Sequence, residues 1–277
     1  MSRVEERAPA TFTNTVTIDG TLRLNLGEKN FNAPPFVPGL QEGIGVDVLD
    51  NHTALHEAVF ADVGTNTGIW ETDTDNSSAV VGVVGTDTLH GGIKLTTGGS
   101  DGHQTALATA ATNYQCTTGK PWWIKTRFNL DAHDTVEFFF GVTETAADAN
   151  SFHLAAAGTG TDRVGFVKAV HNNDAVTFAS TLNSAGTIST ALDTAQTYDA
   201  NLSVVSYGIH WDGAGSLEFY SNKVATTVTP GAMTLVHTYS TAAGIPDAKM
   251  RLVLMVETGA GSAKNALIEY IKGAYTK

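Results

Sequence analysis

Glu71-Thr-Asp-Thr-Asp75 sets acidic side chains two residues apart, a spacing that puts them on one face of a strand. Glycoside hydrolysis uses such carboxylates: one protonates the leaving oxygen, and the other attacks the sugar or activates water. Here the run passes straight into Asn76-Ser-Ser, a loop-forming sequence, so a solvated edge strand is the better reading. Asp73, Asp75 and Asn76 also offer the oxygen ligands that calcium takes. The run lacks the glycine and the distal bidentate glutamate of an EF-hand loop, with Val84 at the twelfth place. No metal is therefore expected, and those three residues are the fallback calcium set.

Two further patterns imitate catalytic motifs. Gly98-Gly-Ser-Asp-Gly102 fits the Gly-x-Ser-x-Gly elbow of serine hydrolases, which has meaning only between a strand and a helix. His103-Gln-Thr-Ala-Leu107 continues as a β-like run, so a turn is expected there. His52 and His56 stand one helical turn apart beside Glu57, but a zinc-protease helix needs His-Glu-x-x-His. They read as exposed helix histidines. No catalytic residue and no cofactor site is expected.

Binding is better represented. Trp122, Trp123 and Trp211 could stack on sugars. Trp122 falls with the apolar set of its strand, whereas Trp123 falls on the polar face and is the better candidate for a ligand or subunit contact. Phe31, Pro34, Pro35, Phe36 and Val37, with Phe12 of the amino-terminal arm, form a second interface candidate in a region too rich in proline for regular structure. That strap either folds back over its own domain or lies across a partner.

The elements that must hold these groups are strands. Trp122, Ile124, Phe128 and Leu130 alternate with Trp123, Lys125, Arg127 and Asn129. Val136, Phe138, Phe140 and Val142 repeat the two-residue period, and Val164, Phe166 and Val170 do so with a break at Lys168. Segments 203–211, 217–220, 249–257 and 266–271 continue the series, separated by turn signals such as Asp212-Gly213, Asn172-Asn173 and Gly259-Ala-Gly261. Alternation of this kind predicts antiparallel sheets packed face to face. Residues 15–24 read as a hairpin about Asp19-Gly20, residues 27–46 as the Pro-rich strap, and residues 50–61 as a short helix facing the protein through Leu55 and Val59. The expected division is 1–62 for arm, hairpin and strap, and 63–277 for an all-β sandwich.

Composition narrows the function classes. With 28 acidic against 16 basic residues the net charge is −12, which argues against a nucleic-acid surface. No stretch approaches the apolar length of a membrane span, and the first residues carry no apolar signal core. The single cysteine, Cys116, allows no internal disulfide and reads as a buried thiol.

Four segments, in order, resemble the concanavalin A-like (laminin G-type) jelly roll, in particular its versions in tailed-phage virion proteins. They are Leu89–Leu107, Trp123–Leu130 with Phe138–Glu144, Tyr207–Asn222, and Met250–Gly259 leading to Ala266–Ile271. The resemblance implies an antiparallel jelly-roll sandwich and a capsid decoration (cement) protein. It would be a non-enzymatic homo-oligomer, a trimer by family expectation, made in the host cytoplasm and clamped on the major capsid protein at the outer virion surface. The alternative it implies is a carbohydrate-binding module of a tail or head fibre that attaches to surface glycans. Glucanases of this fold carry Glu-x-Asp-x-x-Glu, and Glu71-Thr-Asp-Thr-Asp75 has its third carboxylate at the wrong spacing, so hydrolysis ranks last.

Overall fold

The computed structural model describes residues 54–57, 70–74, 80–84, 92–130, 135–144, 162–168, 177–181, 205–224, 227–228, 233–259 and 261–275. The chain divides into two compact units, Met1–Ala33 and Pro34–Lys277, and every described residue lies in the second. The hairpin, the strap and the interface candidates Phe12, Phe31, Pro34, Pro35, Phe36 and Val37 lie outside the described residues.

The strands are β1 (Ala54–Glu57), β2 (Trp70–Thr74), β3 (Val80–Val84), β4 (Gly92–Thr96), β5 (Gln104–Thr109), β6 (Trp122–Leu130), β7 (Val136–Thr143) and β8 (Arg163–Lys168). Then come β9 (Thr177–Thr181), β10 (Val205–Trp211), β11 (Leu217–Ser221), β12 (Lys223–Val224), β13 (Thr227–Val228), β14 (Thr234–Tyr239), β15 (Arg251–Thr258) and β16 (Asn265–Tyr275). One sheet runs β14-β11-β10-β6-β16-β4-β3, with β1 also paired to β16; the other runs β2-β5-β15-β7-β8-β9. All their pairings are antiparallel.

The expected helix over 50–61 is corrected. Its described part is β1, whose four residues pair with Lys272–Tyr275 and extend the sheet beyond the end of β4. A helix of about a dozen residues is marginal by itself in water, and an open ladder edge on β16 gives the same backbone groups fixed partners. Among the described residues there is no α-helix, only a turn of 3₁₀ helix at Ala242–Gly244.

The alternation delivers the core as expected. Trp122, Ile124, Phe128 and Leu130 meet Val136, Phe138, Phe140 and Val142 in one buried cluster. Its centre is aromatic: Tyr207 stacks on Phe166 with centroids 4.2 Å apart, and Phe128 meets Phe138 edge-on at 5.3 Å. Each such ring contributes about 1.5–3 kcal/mol of burial, and an aromatic pair roughly 0.5–1.5 more. The break at Lys168 is filled in an unusual way. Its side chain is fully buried, and Nζ donates to the Val136 carbonyl at 2.7 Å.

The second face of the six-stranded sheet is not the polar face that simple alternation predicts. Ala106, Ala108, Phe139, Val167, Val253 and Met255 form a buried apolar cluster there. The cross-strand pair Gly141 and Gly165 leaves room for the Phe139 ring, because a Cβ on either glycine would collide with it.

Candidate functional site

At one end of the sandwich, three pieces of chain enclose a cleft of about 160 Å³ lined by Thr112, Asn113, Gln115, Lys120, Trp122, Lys249 and Tyr275. Residues 112–120 lie in the connection from β5 to β6. It is anchored by Tyr114, whose N–H donates to the Met250 carbonyl at 3.0 Å while the Met250 N–H donates back at 2.7 Å. That bridge ties the connection to the segment entering β15 and fixes Lys249 opposite. The Gln115 side chain adds a bond to the Asp247 carbonyl at 2.7 Å, and buried Asp162 accepts from the Asp247 and Ala248 N–H groups at 3.1 and 3.0 Å.

The far end of the connection is held by tryptophans and a turn. The indole N–H groups of Trp122 and Trp211 donate to the carbonyls of Gln115 and Thr117, at 3.2 and 3.1 Å. Gly119 N–H donates to the Gly213 carbonyl at 2.7 Å. Gly213 has φ +73°, and Asp212 Oδ1 accepts from the N–H groups of Ala214, Gly215 and Ser216. Burial raises the Asp212 pKa, but those three N–H groups and nearby His210 outweigh it and hold the carboxyl below its usual range.

Tyr275 enters the cleft through a β-bulge. In β16, Ile268 faces Phe128 and Tyr270 faces Arg127, so the ladder skips a residue. Even-numbered Ala266 and Ile268 point inward before the bulge, and odd-numbered Ile271 does so after it. Tyr275 therefore comes to the inner side, opposite Trp122 and 5.6 Å edge-on from the Tyr114 ring. Burial raises the Tyr114 pKa well above the ordinary value, helped by Tyr275, and burial raises that of Tyr275 as well. Both phenols stay neutral around pH 7.

Trp122 is only 1% exposed and closes the floor, so half-buried Tyr275 is the ring a ligand can reach. Thr112 and Asn113 form no side-chain hydrogen bond among the described residues, leaving a hydroxyl and an amide for a ligand. Aromatic face, amides, hydroxyl and ammonium groups together suit a polyhydroxylated ligand. Of this set the sequence reading had singled out Trp122 alone. Tyr275 escaped it because its facing depends on the bulge, and the two lysines because separate loops bring them together.

The other sequence candidates fall elsewhere. Trp123 lies on the outer face as its register requires, but it is 4% exposed, packed with Tyr220, Met233 and Ala274, and overlain by Lys125 Nζ at 5.4 Å. Neighbouring side chains therefore cover the polar face at that point. Beside it, the imidazole Nδ1 of His210 meets Glu218 Oε2 at 2.9 Å and the Tyr220 hydroxyl donates to the same oxygen at 2.8 Å. The Glu71 carboxylate pairs with Arg251 at 2.9 Å. Asp73 lies in β2, while Asp75, Asn76 and His52 lie outside the described residues. Gly98–Gly102 is a turn followed by strand β5, with the Ser100 N–H donating to His103 Nδ1 at 3.3 Å. Among the described residues no group of three or more His, Cys, Asp or Glu side chains could hold a metal, and no helix is long and apolar enough to cross a membrane.

No family model matches the sequence, and no curated protein matches it. Solved structures match the fold. A Bacillus licheniformis β-glucanase aligns with TM-score 0.52 and 16% identity over 80% of this chain and 98% of its own. Lectin II from Ulex europaeus aligns with TM-score 0.51 and 13% identity over 82% of this chain and 100% of its own. A protein of unknown function from Shewanella oneidensis aligns with TM-score 0.53 and 9% identity over 80% and 86%. The fold is therefore the concanavalin A-like jelly-roll sandwich, and at these identities the likeness extends to fold alone.

Proposed function

We propose that this protein is a non-enzymatic glycan-binding module whose site is the end cleft. The observation that carries the reading is the cleft lining itself, a reachable Tyr275 ring beside the unengaged side chains of Thr112 and Asn113. Sugars present apolar C–H faces to aromatic rings and hydroxyls to amides, and a few fixed polar groups set their orientation. The fold adds support, since a lectin and a glucanase are built on the same sandwich. Binding is favoured over hydrolysis because Glu71-Thr-Asp-Thr-Asp75 lacks the Glu-x-Asp-x-x-Glu spacing that glucanases of this fold carry.

The test is a saccharide screen on the full chain, followed by titration calorimetry of the hits. Tyr275→Ala and Asn113→Ala should each weaken binding roughly tenfold, about 1.4 kcal/mol. Asn113→Ala should leave the melting temperature unchanged, which separates contact loss from unfolding. Absence of any saccharide binding, or full affinity in both variants, overturns the reading.

Attachment to a virion shell, the trimer and the major capsid protein as partner remain proposals that rest on the resemblance of the four segments. Glycan binding ranks ahead of cementing, because the cleft gives it a site.

A further inference from the structure

We infer that the saccharide taken by the end cleft is anionic, with its carboxylate or sulfate held between Lys120 and Lys249. This rests on the glycan-binding reading and names the ligand class. The molecule carries 28 acidic and 16 basic residues, so its surface as a whole repels anions. The cleft departs from that average: its lining has two lysines and no carboxylate.

Both lysines are exposed, and neither makes an ion pair or side-chain hydrogen bond among the described residues. Exposed Lys94 and half-buried Lys264 are likewise without such a partner among the described residues, whereas three other lysines are engaged within the protein. Lys168 is bonded to a carbonyl, Lys125 lies over the Trp123 and Tyr270 rings, and Lys272 lies over Tyr270. The nearest acid in sequence, exposed Asp247, is not among the lining residues.

The backbones under the two ammonium groups are fixed independently. Lys120 N–H donates to the Thr117 carbonyl at 3.1 Å, in a turn tied to Gly213, and Lys249 precedes the doubly bonded Tyr114–Met250 bridge. Two anchored stems from different loops, beside one aromatic face, can place a ring on Tyr275 and its acidic substituent between the ammonium groups. Lysine is a compact point charge without the planar fork of arginine, so carboxylate and sulfate are both accommodated.

The experiment titrates the full chain with an oligogalacturonate, its neutral methyl ester and a sulfated oligosaccharide of matched length. At least one acidic form should bind ten or more times tighter than the ester, identifying carboxylate or sulfate as the source of charge. The advantage should vanish in the K120Q/K249Q double variant and shrink as salt rises from about 50 to about 500 mM, where the screening length falls from over 10 Å to under 5 Å. Circular dichroism and melting of the double variant should match wild type, since both side chains lie in solvent. Equal binding of the ester, or undiminished acid binding by the double variant, overturns this inference and leaves the glycan-binding reading standing. Failure of every saccharide, acidic or neutral, overturns both.

Discussion

Phe166→Ala removes the ring that joins the two sheets at the centre of the sandwich. Phe166 belongs to the six-stranded sheet and is fully buried. Its ring lies 4.2 Å from Tyr207 at an interplanar angle of 30° and 5.5 Å from Phe219 at 80°, both on the facing sheet. Truncating a core phenylalanine costs about 3–5 kcal/mol, combining lost transfer energy with the cavity left behind. The two aromatic pairs account for roughly 1–3 kcal/mol of that. Measured against a net stability of about 5–15 kcal/mol, the loss is a large fraction. For a domain of this size it lowers the melting temperature by about 6–20 °C. The assay is urea unfolding followed by tryptophan fluorescence and far-UV circular dichroism. Leu235→Ala, at a side chain 51% exposed, serves as control and should stay within about 0.5 kcal/mol of wild type. A loss below about 1 kcal/mol for Phe166→Ala, at an unchanged denaturant slope, would refute the assignment of Phe166 as the inter-sheet key.

Among the described residues two carboxyls with lowered pKa contribute to the response to acid. The hydrogen bond from His210 lowers the Glu218 pKa against burial, with help from Tyr220, while Asp212 is held down by its backbone N–H groups. Folded values below the ordinary 4.5 and 3.8 mean stability that is present above those values and lost as pH falls through the depressed ones. Denaturation midpoints taken from about pH 6 down to about pH 3 should therefore fall, and fall less steeply in Glu218→Gln with Asp212→Asn; equal slopes would contradict the linkage. Burial also pushes the Cys116 thiol far above its ordinary value. Cys116 is half-buried, so a disulfide reagent at neutral pH should label it more slowly in the folded protein than in the unfolded chain, and equal rates would contradict the raised thiol pKa.

Much of the fold was legible because alternation is a local property. The facing of Trp122, Ile124, Phe128 and Leu130, and of Val136, Phe138, Phe140 and Val142, follows from strand geometry once the segment is extended. The turn at Asp212-Gly213 was legible for the same reason, since its side chain and positive φ act within five residues. Trp123 shows where this stops: its face was read correctly, but its burial depends on Tyr220, Met233 and Ala274, which other parts of the chain bring there. Residues 54–57 were misread because their conformation is decided by a ladder edge more than two hundred residues away.

The sequence by itself determined the class: a β protein of net charge −12, strands with one face for a core, and glycine-marked turns between them. The tertiary structure alone decided the cleft. Register fixes which strand meets which, and the bulge in β16 reverses the inward parity between Ile268 and Ile271 and so carries Tyr275 inward. The backbone bridge between Tyr114 and Met250 then sets Lys249 across from Lys120. These are long-range backbone hydrogen bonds whose partners no local pattern specifies, so the site they assemble has no signature along the chain.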